Sequence, residues 1–107
     1  MPESASPSLT LEQLQAIIRR LYHHKDASRG IEGTFLWFTA EVGELAAALR
    51  SGSHEERLGE FADVLAWLTT LANLAGVDLH EAIAYKYAQG CPGCHQLECV
   101  CPLTGKP

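Results

Sequence analysis

The chain has 107 residues, 47% of them apolar and 20% charged, with a formal net charge of −5 at pH 7. That describes one small folded domain, which excludes both an intrinsically disordered chain and a two-domain protein. The acidic balance and the lack of a clustered basic patch argue against a nucleic-acid partner, and no apolar run approaches the roughly 20 residues of a membrane span.

Residues 1–8, with Pro2, Pro7 and three serines, read as a flexible leader. They have neither the basic start nor the apolar centre of a signal peptide, so a cytoplasmic protein is expected. Thr10 followed by Gln13 opens a first helix, in which Leu11, Leu14, Ile17, Ile18 and Leu21 recur at helical spacing. Its end is expected near His24 or Lys25. A polar connection from Asp26 to Gly33 then leads into a second helix over Thr34 to Arg50.

The stretch Leu49-Arg50-Ser51-Gly52-Ser53-His54 reads as a helix stop and a helix start, with Gly52 at the break, Ser53 as N-cap and Glu56 completing a capping box. A third helix runs from His54 to Ala75. Gly76 ends it, and Asp78 with Glu81 forms a further capping box that starts a fourth helix over Leu79 to Gln89. No strand or hairpin signal is present. The expected fold is all-α, a four-helix bundle over residues 9–89 followed by a cysteine-rich tail over residues 90–107. Leu58, Phe61, Val64, Leu65, Trp67, Leu68, Leu71 and Leu74 leave the third helix apolar on more than one face, so a homodimer or homotetramer is expected to cover it.

The chemistry lies on the second and third helices. Glu41 with Glu44, and Glu60 with Asp63, are pairs at i, i+3, which puts each pair on one helix face about 60° apart. If the turn at Gly52 makes an antiparallel hairpin, residues equidistant from it lie side by side: Glu44 with Glu60, Glu41 with Asp63, and Trp37 with Trp67 one turn further out. Four carboxylates converging among apolar neighbours are costly unless they are paired or metal-bound. Oxygen donors of this kind suit Mg²⁺ or Mn²⁺, and two aromatic planes beside them suit a phosphate ligand that carries a base.

The stretches Phe35-Leu36-Trp37-Phe38-Thr39-Ala40-Glu41-Val42-Gly43-Glu44-Leu45, Glu60-Phe61-Ala62-Asp63-Val64-Leu65-Ala66-Trp67 and Leu71-Ala72-Asn73-Leu74-Ala75-Gly76-Val77-Asp78-Leu79 resemble the MazG-like nucleotide pyrophosphohydrolases of the all-α NTP pyrophosphatase superfamily. The resemblance implies that Glu41, Glu44, Glu60 and Asp63 hold Mg²⁺. It also implies that an activated water cleaves a nucleoside triphosphate to monophosphate and pyrophosphate, in the service of nucleotide-pool house-cleaning. One departure stands out: Ala40 occupies a position where many members carry the first Glu of a doublet. The alternative reading is a non-catalytic helical nucleotide- or protein-binding module with a structural metal site.

Further substrate contacts are expected from Lys25 and Arg29 ahead of the second helix and from Lys86 on the fourth, each of which can also be plain surface charge. Trp37 and Trp67 serve as base-stacking planes or as core. The resemblance places Asn73 where related enzymes often carry a polar residue near the substrate, and its other reading is a polar residue close to a helix end. In the tail, Cys91 and Cys94 form a C-x-x-C, and Cys99 and Cys101 a C-x-C. Four thiolates at these spacings can enclose one structural Zn²⁺, with His95 as a substitute ligand; reduced or redox-responsive thiols are the other reading.

Overall fold

The computed structural model describes residues 8–104. The chain is all-helical there, with α1 over Leu11–Ser51, α2 over His54–Ala75 and α3 over Leu79–Tyr87. The leader expected over residues 1–8 lies outside the described residues except for Ser8, and the end of the tail, residues 105–107, lies outside them as well.

The four helices expected from the sequence become three elements, because the first two merge. Helix continues through the segment from Asp26 to Gly33 that reads as a polar connection, and is interrupted only at Gly30, with φ 82° and ψ 174°. That conformation belongs almost solely to glycine. The segment stays helical because its polar side chains are used elsewhere. Asp26, only 4% exposed, accepts from Arg29 Nη1 at 3.0 Å and from Thr70 Oγ1 of α2 at 3.2 Å, so it does not compete for its own backbone. Arg29 Nη1 also donates to the buried Thr34 Oγ1 at 3.1 Å, which ties the two arms of α1 across the kink.

Both remaining helix starts and the first one follow the capping chemistry. The Gln13 N–H donates to Thr10 Oγ1 at 3.0 Å while Thr10 N–H donates to Gln13 Oε1 at 2.8 Å, and Ser53 with Glu56 repeats the exchange at 3.1 and 2.7 Å. The third expected box is only half made. Glu81 N–H donates to Asp78 Oδ1 at 2.9 Å, with no return bond from the Glu81 side chain, and α3 stops at Tyr87, two residues short of the expected end.

The turn between α1 and α2 is tight. Gly52 N–H donates to the Ala48 carbonyl at 2.8 Å, and a Cβ on Gly52 would sit 2.8 Å from that same oxygen, so no larger residue fits. Arg57 closes the turn from the other side: Nε and Nη2 donate to the carbonyls of Ala48 and Leu49, each at 2.9 Å, and its charge faces the negative end of α1. At the far end of α2, Gln15 holds three segments together. It donates to the Val77 carbonyl and to Asn73 Oδ1, and accepts from Leu79 N–H at 2.7 Å.

Among the described residues, the buried apolar side chains are Ile18, Ala48 and Ala72, a core too small for a chain of this size. The apolar faces that sequence periodicity assigns to the interior are largely open. Leu36 is 70% exposed and Phe61 55%, and Leu58, Leu65 and Leu68 are exposed with them.

Candidate active site

The hairpin of α1 and α2 brings together three of the four acids that mirror pairing about Gly52 expects to converge. One carboxylate oxygen from each of Glu41, Glu60 and Asp63 lies within 4.8 Å of the others. Glu44 is exposed and stands outside that set, yet its charge reaches it, since it raises the pKa of both Glu41 and Glu60. Glu44 also shares with Glu60 and Asp63 an open groove of about 470 Å³ beside the turn.

The electrostatics of the set favour a positive charge. Oε1 of Glu41 and Oε1 of Glu60 are buried without a hydrogen-bond partner among the described residues. Burial first, and then the neighbouring charges of Glu44 and Asp63, hold both carboxyls above the ordinary value of 4.5; Glu60 adds to the push on Glu41 and Glu56 to that on Glu60. A divalent cation would satisfy both orphaned oxygens and remove the mutual repulsion. The residues present therefore fit such an ion, by the chemistry of hard oxygen donors.

Trp37 and Trp67 lie side by side, their ring centroids 6.1 Å apart and their planes inclined by 18°. The Arg29 guanidinium sits 4.8 Å from the centre of the Trp67 ring while still bonded to Asp26. A cavity of about 290 Å³ is lined by Tyr22, Lys25, Asp26, Arg29, Trp67 and Thr70, and Asp63 also borders it. Asp63 thus separates the aromatic cavity from the acidic groove.

The structure gathers Lys25, Arg29, Trp67 and the acids in one region, and Trp37 beside them, but Asn73 and Lys86 line neither the cavity nor the groove. Asn73 is engaged in structural bonds: its Oδ1 accepts from Gln15 Nε2 and Arg19 Nη2 at 3.1 and 3.0 Å, and its Nδ2 donates to the Gln15 carbonyl. Lys86 on α3 has its ammonium 5.6 Å from the Tyr87 ring centre. Asp26, Tyr22 and Thr70 join the cavity without having been singled out from the sequence. The signal available for Asp26 was its i, i+3 spacing to Arg29 within a segment read as loop.

The four thiols of the tail converge at a separate place, all within 4.8 Å of one another. Hydrogen bonds from the backbone of Val100 and then Gln96 pull the Cys94 thiol down to about 6.

Comparison with known proteins decides the family. Residues 29–95 match the MazG nucleotide pyrophosphohydrolase domain. The chain belongs to the MazG nucleotide pyrophosphohydrolase family. Membership carries the enzyme class with it: this is a nucleoside triphosphate pyrophosphohydrolase. The chain is also similar to a dATP/dGTP diphosphohydrolase of Cyanophage S-2L, 40% identical over 79 residues that cover 74% of this chain and 71% of the phage protein. The MazG match includes all four acids and both tryptophans, and it ends before Cys99 and Cys101. No helix among the described residues is long and apolar enough to cross a membrane.

Proposed function

We propose that the protein hydrolyses purine deoxynucleoside triphosphates to monophosphate and pyrophosphate, using Mg²⁺ or Mn²⁺ held by Glu41, Glu60 and Asp63 with Glu44 at the edge of the site. The observation that carries this reading is the pair of buried, unpartnered oxygens on Glu41 and Glu60 beside a third convergent carboxylate. A bound divalent ion would supply charge neutralisation for the polyphosphate and a lowered pKa for a water, the two needs of a displacement at phosphorus.

The remaining residues supply position. Asp63, between groove and cavity, sets where the triphosphate must cross if the base enters the cavity of Tyr22, Trp67 and Thr70. Lys25 lines that cavity and offers a cation to a phosphate. Arg29 has its charge answered by Asp26 and lies against Trp67, so its role is to hold the indole plane in place. The exposed face of Trp37 offers a surface for a base. The preference for purine deoxynucleotides is taken from the phage relative, and the cellular role that follows is removal of surplus or non-standard nucleotides. Ala40 removes an auxiliary carboxylate but leaves the convergent set intact.

A homodimer or homotetramer working in the cytoplasm completes the proposal. The chain exposes 8130 Å² where a folded monomer of 11.6 kDa would expose about 5,800 Å². Leu36 and Phe61 are among the exposed apolar side chains, which a second copy would cover.

The test is pyrophosphate release from dATP, dGTP and a panel of other triphosphates with Mg²⁺, comparing wild type with Glu44→Ala and Asp63→Ala. Release from the purine deoxynucleotides that vanishes in Asp63→Ala, with helicity retained, is the expected result. Full activity in Asp63→Ala would remove the acids from the chemistry.

A further inference from the structure

The tail beyond α3 presents a problem of stability that the nucleotide site does not address. Residues 90–104 contain no helix or strand, and their large apolar side chains point away from any core: Leu97 is 94% exposed and Leu103 104%. A segment of this length with no large apolar side chain buried cannot offset the entropy of ordering its backbone. It nevertheless folds back on itself, with Cys91 N–H donating to the Gln96 carbonyl at 2.8 Å and His95 N–H to the Cys91 carbonyl at 2.7 Å.

What the fold-back achieves is convergence of sulfur. The Sγ atoms of Cys91, Cys94, Cys99 and Cys101 all lie within 4.8 Å of one another, and Cys91 and Cys101 are 3.8 Å apart. A tetrahedral ion with bonds of about 2.3 Å to sulfur has S···S edges of about 3.8 Å. Backbone N–H groups are aimed at three of the sulfurs: Gly93 at Cys91, Val100 at Cys94 and Cys101 at Cys99, at 3.3, 3.4 and 3.3 Å. Donors placed in this way stabilise thiolate rather than thiol. His95 is exposed and is not one of the convergent ligands.

We propose that Cys91, Cys94, Cys99 and Cys101 bind one Zn²⁺ per chain in a closed four-thiolate site that folds the tail. Four protein ligands leave no open position, so the ion is structural and takes no part in hydrolysis. The site is independent of the acids and of the nucleotide reading. It pairs the two cysteines inside the MazG match with the two beyond it, which makes the tail an appendage to the catalytic hairpin.

Elemental analysis of the full chain, purified under reducing conditions and desalted, tests this directly. The expected result is one zinc per chain, retained in the Glu41→Gln/Glu60→Gln double variant and reduced at least tenfold in Cys94→Ser and in Cys99→Ser. Replacement by Co²⁺ in the wild-type chain should give the intense visible absorption of tetrahedral cobalt thiolate, a readout that needs no variant to fold. Stripping the metal should expose the tail to proteolysis while the helices stay protected. Less than a tenth of an equivalent of zinc with four freely titrating thiols, or zinc lost with the acids and kept in Cys99→Ser, would overturn the proposal.

Discussion

Gly30 is the position where the backbone itself can be tested. Its φ of 82° and ψ of 174° fall in a region that costs a residue with a Cβ about 1–3 kcal/mol, and nothing lies within 4 Å of the place such a Cβ would occupy. The cost of Gly30→Ala is therefore local backbone strain with no collision added. Against it stands a gain of about 0.4–1 kcal/mol from the less flexible unfolded chain. The net expectation is a loss of about 1–2 kcal/mol. With an unfolding entropy of about 2.1 cal/mol/K per residue, this lowers Tm by about 4–9 °C for a chain of this length. Urea unfolding at one fixed protein concentration should show a lower midpoint with an unchanged slope. Because the kink carries Asp26 and Arg29 on one side and Thr34 on the other, straightening it would also pull Arg29 off Trp67. Pyrophosphate release should fall along with stability. A Gly30→Ala variant as stable as wild type or more so would mean that α1 is not kinked there, and the account of the cavity would fail with it.

Asp26→Ala leaves the half-buried Arg29 guanidinium without its carboxylate and Thr70 without its acceptor, so a loss of about 2–4 kcal/mol is expected in urea unfolding; adding Arg29→Met should recover part of it. Ser53→Ala removes the N-cap of α2 and should cost about 1 kcal/mol, read from the same transition. Without divalent cation, the raised carboxyls of Glu41 and Glu60 mean that the folded chain binds more protons than the unfolded one just above pH 4.5, so stability should fall as pH rises through that window. Thermal melting in chelator should show this fall, and Glu41→Gln/Glu60→Gln should flatten it. Glu56 acts in the opposite sense: hydrogen bonds from the Ser53 backbone and then its side chain hold it below 4.5, so its contribution is complete above that pH and disappears as pH falls through the lowered value. Phe61→Glu should lower the assembly mass measured by light scattering.

Much of the architecture was legible because it is written in short-range chemistry. A capping box involves residues three apart, and an i, i+3 acid pair shares a helix face whatever the rest of the chain does. Once Gly52 is read as the break, hairpin pairing is arithmetic: it sets Trp37 beside Trp67, as the structure has them, and brings Glu41 to Glu60 and Asp63, but it also expects Glu44 in that set, where the structure does not put it. The segment from Asp26 to Gly33 misled because its polarity is that of a loop, while the partner that lets it remain helical, Thr70, lies 44 residues away. The same holds for Asn73, whose amide is committed to Gln15 across 58 residues, and for Arg57, whose bonds to the end of α1 depend on how α2 leaves the turn. Helical character, the turn at Gly52 and the identity of the acid pairs follow from sequence alone, since each depends on neighbours within one helical turn or on symmetry about one glycine. That Glu41, Glu60 and Asp63 form the inner set without Glu44, and that Asp26 and Arg29 build a cavity wall, is visible only once the helices are packed. Those outcomes depend on the rotation of α1 against α2 and on the bend at Gly30, which no local pattern encodes.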